Sequence, residues 1–279
     1  MAGPEQGHDD HPRPDLVAVT SAQQQTWSSG DFHEIARQNV VIAEALCAAA
    51  DPRAGQRVLD VACGSGTAAL VAARRYCEVT GIDYVPHLLD RARQRARAEG
   101  LPMDLQVADA QALPFPDASF DVVLSVYGVQ FAPDQPAAAA ELLRVCRPGG
   151  TIGLAGPVPD GWSGDLFATH AEHAPPPAGV PPPSRWGTED GVHELLGGGT
   201  VSIDNRRSTA LQYYRSTRHA VEVFSTCFGP TLRALNVVGP EGRASFLGDL
   251  AAVFERYDRA DDGTAVVENT YLRTIAIRS

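Results

Sequence analysis

The feature that most constrains this chain is a strand-like run that ends in a glycine turn. The run Arg57-Val58-Leu59-Asp60-Val61 is followed by Ala62-Cys63-Gly64-Ser65-Gly66, and a helical pattern covers residues 67–75. Glycine allows a sharp turn that leaves room for a ligand, and the N–H groups of the following helix point toward that room. The segment therefore predicts a strand, a turn and a helix that together bind a ligand.

Two further acids strengthen this prediction. Asp83 ends the next strand-like run, and Asp109 ends the one after it. In a parallel sheet the loops that follow successive strands line one crevice. We therefore expect Asp60, Gly64, Gly66, Asp83 and Asp109 to surround one ligand of about the size of a nucleoside.

Strand and helix patterns alternate through the first half of the chain. This alternation predicts an α/β fold with a doubly wound parallel sheet and helices on both faces. The predicted strands are 57–61, 78–82, 104–108, 120–126 and 151–155, and the helices between them are 67–75, 86–99 and 136–147.

After residue 157 the pattern changes to helices separated by loops rich in proline and glycine. We expect residues 1–20 to be a disordered tail, residues 21–157 to hold an N-terminal lid helix and the ligand-binding core, and residues 158–279 to hold cap insertions and the last two core strands. The predicted elements are helix 162–173, an extended loop over 175–183, a helix from the N-cap Thr188 to Leu196, strands 201–203 and 211–214, helices 217–235 and 240–258, and strand 271–277.

The order of these motifs resembles that of the class I S-adenosylmethionine-dependent methyltransferases, in particular the UbiE-like bacterial type that acts on small molecules. The resemblance runs from about residue 25 to 157. Besides the acids and the turn, it includes the strand-four motif at 119–125 and Arg-Pro-Gly-Gly at 147–150. It implies a Rossmann-like seven-stranded sheet, S-adenosylmethionine as cofactor and methyl transfer to O, N or C of a small organic acceptor. One departure is Ala62, which stands where the family has the first glycine of its turn.

The resemblance also assigns roles to individual residues. Asp60 and the turn are expected to hold the methionine part of the cofactor, Asp83 to accept hydrogen bonds from both ribose hydroxyls, and Asp109 to lie beside the adenine amino group. The expected cofactor-binding residues are Asp60, Ala62, Cys63, Gly64, Gly66, Asp83, Tyr84, Asp109, Ala110 and Ser125.

The acceptor site is less well specified. In this fold the segment after strand four faces the transferred methyl, so Tyr127, Gln130 and Phe131 are expected to bind substrate. Trp27 and Phe32 either pack on the ligand or anchor the N-terminal helix to the core, and the sequence does not choose between these roles. No general base stands out; His170 and His173, three residues apart on one helical face, are weak candidates. We predict no metal site.

Two alternatives remain at this point. The segment Gly64-Ser65-Gly66-Thr67-Ala68-Ala69 also fits the G-x-G-x-x-A pattern of NAD-dependent oxidoreductases, although Asp60 inside the strand and the complete lack of lysine disfavour that chemistry. A chain that binds S-adenosylmethionine without transferring methyl, as a scaffold or regulatory protein, is compatible with the same residues.

Composition excludes some partners. The net charge is −11, whereas a surface that follows nucleic-acid phosphates needs clustered positive charge. No apolar run approaches 18 residues and no secretory leader is evident. We expect a cytoplasmic protein with a small-molecule acceptor that contacts neither nucleic acid nor membrane and that could form a homodimer. The five scattered cysteines are expected to be free thiols.

Overall fold

Seven strands form one mixed sheet in the computed structural model, which describes residues 14–279. They are β1 (Arg57–Val61), β2 (Glu78–Asp83), β3 (Asp104–Val107), β4 (Phe120–Val126), β5 (Cys146–Pro157), β6 (Thr200–Tyr214) and β7 (Ala265–Arg278). The order across the sheet is β3-β2-β1-β4-β5-β7-β6. Strands β1 to β5 are parallel, whereas β7 is antiparallel to β5 and β6 is antiparallel to β7. The predicted Rossmann-like α/β fold is confirmed.

Helices lie between the strands and before the first of them. Within residues 14–279 the α-helices are α1 (Leu16–Trp27), α2 (His33–Ala36), α3 (Val40–Ala50), α4 (Thr67–Ala73), α5 (Pro86–Glu99), α6 (Gln135–Val145), α7 (Trp162–His173), α8 (Glu189–Leu196), α9 (Thr217–Cys227) and α10 (Gly229–Tyr257). Helix α10 is kinked at Gly239, whose φ of 63° is not helical. A short 3-10 turn at Val129–Phe131 follows β4.

The central strands are apolar on both faces because helices cover both faces of the sheet. In β1, Val58 packs into one core cluster with Val122 and Leu124 of β4. Its neighbour Leu59 packs into a second cluster with Val123. This alternation follows from the two-residue period of a strand, and each fully buried Val or Leu stabilises the fold by about 1.5–3 kcal/mol.

Helix ends are marked by the residues that local chemistry favours. Pro86 begins α5, and Gly100 follows it with a φ of 67°, which glycine adopts without strain. The N–H of Gly191 donates to Oγ1 of Thr188 at 3.1 Å, which confirms Thr188 as the N-cap of α8.

Three boundary predictions were wrong. Helix α1 begins at Leu16, so residues 16–20 are helical rather than part of a tail; residues 1–13 lie outside the described residues. The predicted strands 201–203 and 211–214 are one strand, because the polar residues between them lie on a sheet edge where solvent accepts them. The predicted helix 217–235 is interrupted at Phe228, which has extended backbone angles.

The second half of the chain covers the edge of the sheet at which the parallel strands end. A third hydrophobic cluster joins α1, α2, α5, α7, α9 and α10 to β6 and β7. Strand β1 lies between β2 and β4, so the strand order reverses at β1, and the crevice at such a reversal is where α/β proteins bind ligands. The fold therefore places a covered crevice next to the glycine turn.

All five cysteines are free thiols, as predicted, and four of them are buried. Within residues 14–279, no helix combines the length and the apolar character that a membrane span requires.

Candidate functional site

Asp60 lies at the end of β1 and is buried, with 1% of its surface exposed. Its Oδ2 accepts a hydrogen bond from the N–H of Ala69 in the first turns of α4 at 2.7 Å. Burial raises the pKa of Asp60 to about 7, although the Ala69 N–H opposes this shift. The carboxylate therefore fixes the helix to the strand end and leaves its other oxygen toward the cleft that Asp60 lines.

Asp83 ends β2 and is also buried, with 5% exposed. One carboxylate oxygen accepts from the N–H of Gly64 at 2.8 Å and the other from the N–H of Val85 at 2.9 Å. Burial raises the pKa of Asp83 to about 6, against the lowering effect of these donors. A carboxylate has about four acceptor positions, so this one can still accept from two ligand hydroxyls.

Asp109 completes the row of acids after β3. Its Oδ1 accepts from the N–H of Gln111 at 2.9 Å, and Nε2 of Gln111 also donates to both carboxylate oxygens. Asp109, Ala110 and Asp83 line the same compartment of the cleft. The structure thus brings the acids after β2 and β3 together, as the sequence predicts.

The turn after β1 has unusual backbone angles. Gly64 and Gly66 have φ values of 54° and 78°, and Ala62 has a φ of 53°, which a residue with a Cβ rarely adopts. An added Cβ at Gly64 would meet no atom within 4 Å, so the space in front of this residue is open. The alanine at the family's first glycine position keeps the turn shape at a cost in strain.

Helix α1 packs against the loops after β2 and β3, which line the cleft. The Nε2 of Gln24 donates to the carbonyl oxygen of Tyr84 at 2.6 Å, and Nε2 of Gln111 donates to Oγ1 of Thr20 at 3.2 Å. Thr20 and Trp27 both line the cleft. The first helix therefore contributes to the lining of the cleft, and Trp27 at its end also packs in the third hydrophobic cluster.

An aromatic pocket adjoins the cleft. Eight of its fourteen lining residues are aromatic: Trp27, Phe32, Tyr127, Phe131, Trp162, Phe167, Phe224 and Phe228. The ring of Trp27 contacts those of Phe131, Phe32 and Phe228 at centroid distances of 4.7, 5.2 and 5.6 Å. Trp27, Phe32, Tyr127 and Phe131 line both the pocket and the cleft, so the two spaces meet at these four side chains.

A few polar groups interrupt this apolar lining. The hydroxyl of Tyr127 donates to Oδ1 of Asn269 at 3.2 Å, and the hydroxyl of Ser163 donates to the same oxygen at 3.0 Å. The indole N–H of Trp162 is buried and has no partner among the described residues. Burial raises the pKa of Tyr127 well above its usual range, so its hydroxyl stays protonated. The pocket thus presents hydrogen-bond donors but no ionised group.

Neither a carboxylate nor an imidazole lines the aromatic pocket. The imidazole of His170 lies outside this lining, with one ring nitrogen 2.6 Å from the carbonyl oxygen of Leu166 and the other 2.8 Å from Oγ1 of Thr231. Burial lowers the pKa of His170 to about 4. His173 pairs with Asp249 at 2.7 Å. The geometry therefore gives neither histidine a position from which it could act as a base on a ligand in this pocket.

The order of the residues along the cleft suits S-adenosylmethionine. Its three compartments adjoin one another: the one at Asp109 shares Asp83 with the central one, which shares Gly64 with the one at Asp60. The ionisable lining of this path is acidic, and the open space at Gly64 lies between two acids. A cationic, nucleoside-bearing ligand is compatible with these residues.

Comparison with known proteins decides the family. The family described as "Methyltransferase domain" matches residues 59–154. The chain is 40% identical over 233 residues to the uncharacterised protein Rv1405c of Mycobacterium tuberculosis, covering 82% of this chain and 85% of that protein. It is 41% identical over 142 residues to the demethylmenaquinone methyltransferase of Deinococcus radiodurans, covering 50% of this chain and 57% of that protein.

A solved structure shares the fold. Phosphoethanolamine N-methyltransferase 2 of Haemonchus contortus, in complex with S-adenosylmethionine, superposes with a TM-score of 0.54 at 20% identity, covering 85% of this chain and 52% of that chain. The chain belongs to the class I S-adenosylmethionine-dependent methyltransferases. Its cofactor is S-adenosylmethionine, and the nicotinamide alternative is not supported.

Three residues that the sequence places in the ligand sites of this methyltransferase do not line the cleft or the aromatic pocket. Ser125 does not line the cleft, because its buried hydroxyl donates to the carbonyl of Val61 at 2.8 Å and accepts from the N–H of Val129 at 2.9 Å. Gly66 does not line it either; a Cβ there would lie 3.0 Å from that of Ala92. Gln130 lines a separate cavity beyond the aromatic pocket. Ser125 links β4 to the end of β1 and to the 3-10 turn, and Gly66 packs against α5.

Several residues of the aromatic pocket of the methyltransferase were not predicted from the sequence. They are Asn269, Trp162, Ser163, Phe167, Phe224 and Phe228, which come from α7, α9, β7 and the α9–α10 junction. One signal was available: Asn269 is a polar residue at an inward position of β7, between the inward residues Val267 and Tyr271. A polar residue in an otherwise apolar inward row often serves a buried site.

Proposed function

We propose that this methyltransferase transfers the methyl group of S-adenosylmethionine to a small, planar, largely apolar acceptor. The observation that carries the proposal is the aromatic pocket, which meets the cofactor cleft at Tyr127 and Phe131. Aromatic walls favour flat ligands, because rings stack or meet edge to face at short distances. A cationic acceptor would lose its hydration there without gaining an anionic partner from the pocket.

The cofactor is held, in this proposal, by the row of acids. Asp83 accepts from the ribose hydroxyls, Asp109 and Ala110 lie beside the adenine, and Asp60 with the turn at Cys63 and Gly64 faces the methionine part. Tyr84 covers the ribose and adenine from one side, since it lines both of these compartments. The bound cofactor supplies a methyl group that its sulfonium has already activated.

The acceptor carries an oxygen or nitrogen that can accept a hydrogen bond. This follows from the indole N–H of Trp162, which is buried at the pocket without a partner. A buried donor costs stability when it is unpaired, so a ligand that accepts from it gains more than a surface contact would give. Tyr127 is positioned in the same pocket by its hydrogen bond to Asn269.

The protein supplies no base in this pocket, so the acceptor must arrive as a nucleophile. A neutral amine, the anion of an acidic phenol or enol, or a ring carbon next to such an anion meets this requirement. Methyl transfer to that ring carbon gives a neutral dienone, which loses its ring proton to water after release. The residues hold such a group in line with the methyl and exclude water, which would otherwise solvate the nucleophile. A relative of this chain in Deinococcus radiodurans is a demethylmenaquinone methyltransferase, which makes a hydroquinone one acceptor to test.

The test is an assay for S-adenosylhomocysteine with purified protein, S-adenosylmethionine and a panel of a hydroquinone, an acidic phenol, an aromatic amine and an aliphatic amine. We expect turnover with at least one aromatic acceptor, a product heavier by one methylene and no turnover with the aliphatic amine. Asp83→Ala, which is expected to lose most of its affinity for the cofactor, serves as the negative control. Tight cofactor binding with no turnover of any aromatic compound, in the panel or in a cell extract, would favour the alternative of a binding protein that does not methylate.

A further inference from the structure

A second and larger cavity lies beyond the aromatic pocket. It has a volume of about 570 Å³, against about 40 Å³ for the aromatic pocket. It is bounded by α7, by the 3-10 turn at Val129–Phe131 and by the proline-rich loop at residues 175–183. Small-molecule sites typically occupy roughly 300–1,000 Å³, so this outer cavity is large enough to hold most of a metabolite.

The outer cavity adjoins the aromatic pocket at two rings. Phe131 and Phe167 line both spaces, and the rings pack edge to face with their centroids 5.7 Å apart. The aromatic pocket has room for a reacting group, whereas the outer cavity has room for the remainder of a longer molecule. A ligand that occupies both spaces must turn one of these two rings aside.

One buried side chain in the outer cavity has no partner for its amide group. Gln130 is 2% exposed, and its Nε2 makes no hydrogen bond to any part of the chain that the structure describes. Gln23, in α1, lines the same cavity, and its Oε1 is also buried without a partner in residues 14–279. Buried polar groups are almost always paired in folded proteins, so two such groups on one cavity indicate a ligand that supplies an acceptor and a donor.

The charged lining of the outer cavity is positive. Arg233 lies at its rim and donates to the carbonyl oxygens of Ala174 at 2.9 Å and Pro175 at 3.2 Å. These bonds leave guanidinium N–H groups available. No carboxylate lines the cavity, and none of the ion pairs in the described residues includes Arg233. His170 also lines it, but burial lowers its pKa, so it stays neutral.

The remaining lining is apolar and preformed. The proline-rich loop is fixed by Gln135, whose Nε2 donates to the carbonyl of Pro182 at 3.1 Å. Proline also restricts φ, so this side of the cavity loses little entropy when a ligand binds.

We propose that the outer cavity binds the non-reacting part of the methyl acceptor and that this part is an amphiphilic anion. Its apolar body packs between α7 and the proline-rich loop, a carbonyl or hydroxyl oxygen accepts from Gln130, and a carboxylate or phosphate pairs with Arg233. The link to the acceptor rests on the proposed function, whereas the existence of the site does not.

The experiment measures probe binding by fluorescence titration, with the protein saturated with S-adenosylhomocysteine. The probes are anilinonaphthalene sulfonate, an anion, and phenylnaphthylamine, which has the same rings without the sulfonate. Arg233→Gln should weaken sulfonate binding by about fivefold, the upper end of an exposed ion pair, and leave phenylnaphthylamine unchanged. The matched control is Arg243→Gln, which removes the same charge from an exposed position of the same helix and should change neither probe.

A second variant locates the probes. Ala171→Trp fills the outer cavity without touching the cofactor cleft and should weaken both probes by at least tenfold while S-adenosylhomocysteine still binds. Ala168→Trp, which fills the same cavity, replaces it if the first variant does not fold. Equal sulfonate affinity in wild type and Arg233→Gln, or probe binding that survives in the folded tryptophan variant, would overturn the proposal.

Gln130 is tested with the acceptor that the turnover assay identifies. Gln130→Met keeps the length of the side chain and removes the amide, so it should raise the KM for that acceptor with kcat close to wild type. An unchanged KM would remove Gln130 from the site. Probe binding requires no methyl transfer, so failure of this proposal is distinguishable from failure of the proposed function.

Discussion

The cofactor cleft and the aromatic pocket meet at four aromatic side chains but are built in different ways. In the cleft, acids at strand ends are fixed by backbone N–H groups close to them in the chain. Asp60 bonds a residue nine positions away and Asp83 one 19 positions away. In the aromatic pocket, Asn269 joins Tyr127 and Ser163 across 142 and 106 positions.

This difference separates what local sequence determines from what tertiary packing determines. The cleft depends on a turn whose shape is set within a few residues, so short sequence motifs determine its chemistry. The pocket depends on where α7, α9 and α10 pack, so its lining can change while the cleft is kept. Variants in one region should therefore leave the function of the other intact.

The largest expected effect is in the cleft. Asp83→Ala removes a carboxylate that accepts from two ribose hydroxyls, and hydrogen bonds to a charged group contribute about 1.5–3 kcal/mol each before desolvation is subtracted. We expect a net loss of about 2–4 kcal/mol in S-adenosylhomocysteine affinity by calorimetry. Asp90→Ala, an exposed acid on α5, is the control and should bind normally. A folded Asp83→Ala protein with wild-type affinity would contradict the assignment of the cleft.

Binding of S-adenosylhomocysteine in the cleft should also depend on pH. The aromatic pocket, in contrast, is lined by no group that titrates near neutrality. Asp83 has a pKa of about 6 in the unliganded fold, and the ionised form is the one that accepts from ligand hydroxyls. Affinity for S-adenosylhomocysteine should therefore fall by about tenfold as the pH decreases from 7 to 5. Asp83→Asn should bind weakly with a shallower pH dependence. An affinity that rises toward pH 5 would show that the protonated acid is the binding form.

A substitution in the aromatic pocket tests the same separation from the acceptor side. Trp162→Phe keeps the ring packing and removes the unpartnered N–H, so the KM for the acceptor should rise by about threefold to tenfold, the range of one neutral hydrogen bond. S-adenosylhomocysteine affinity should stay within about twofold of wild type. A larger effect on the cofactor than on the acceptor would break the separation between the two regions.

The smallest expected effect concerns strain in the turn. Ala62→Gly relieves about 1–2 kcal/mol of left-handed strain and adds about 0.4–1 kcal/mol of unfolded-state entropy, so the net gain in stability is about 0.5–1 kcal/mol. Ala118→Gly, at a φ of 55° far along the chain, is the matched control and should gain as much in denaturant unfolding. Loss of stability in Ala62→Gly alone would show that its methyl group packs in the cleft more than its backbone is strained.

The sequence could predict the cleft because its acids and glycines follow predicted strands directly. Asp60, Asp83 and Asp109 need only the rule that parallel strands end at one edge. Phe224 and Asn269 could not be predicted in the same way, because they meet through the kink and packing of α10 and the antiparallel return of β7. Gln130 shows why the distance from a strand end does not predict which space a residue lines. It lies only two residues past Gly128, but the 3-10 turn places it on the outer cavity.

The N-terminal helix has a kinetic consequence. Helix α1 is held over the cleft by Gln24 on the carbonyl of Tyr84 and by Thr20 on Gln111, and Trp27 at its end lines both the cleft and the aromatic pocket. We therefore expect cofactor exchange to require this helix to lift, which would withdraw one side of the acceptor's binding surface. On this hypothesis a bound acceptor holds the helix in place, and the methylated product leaves before S-adenosylhomocysteine.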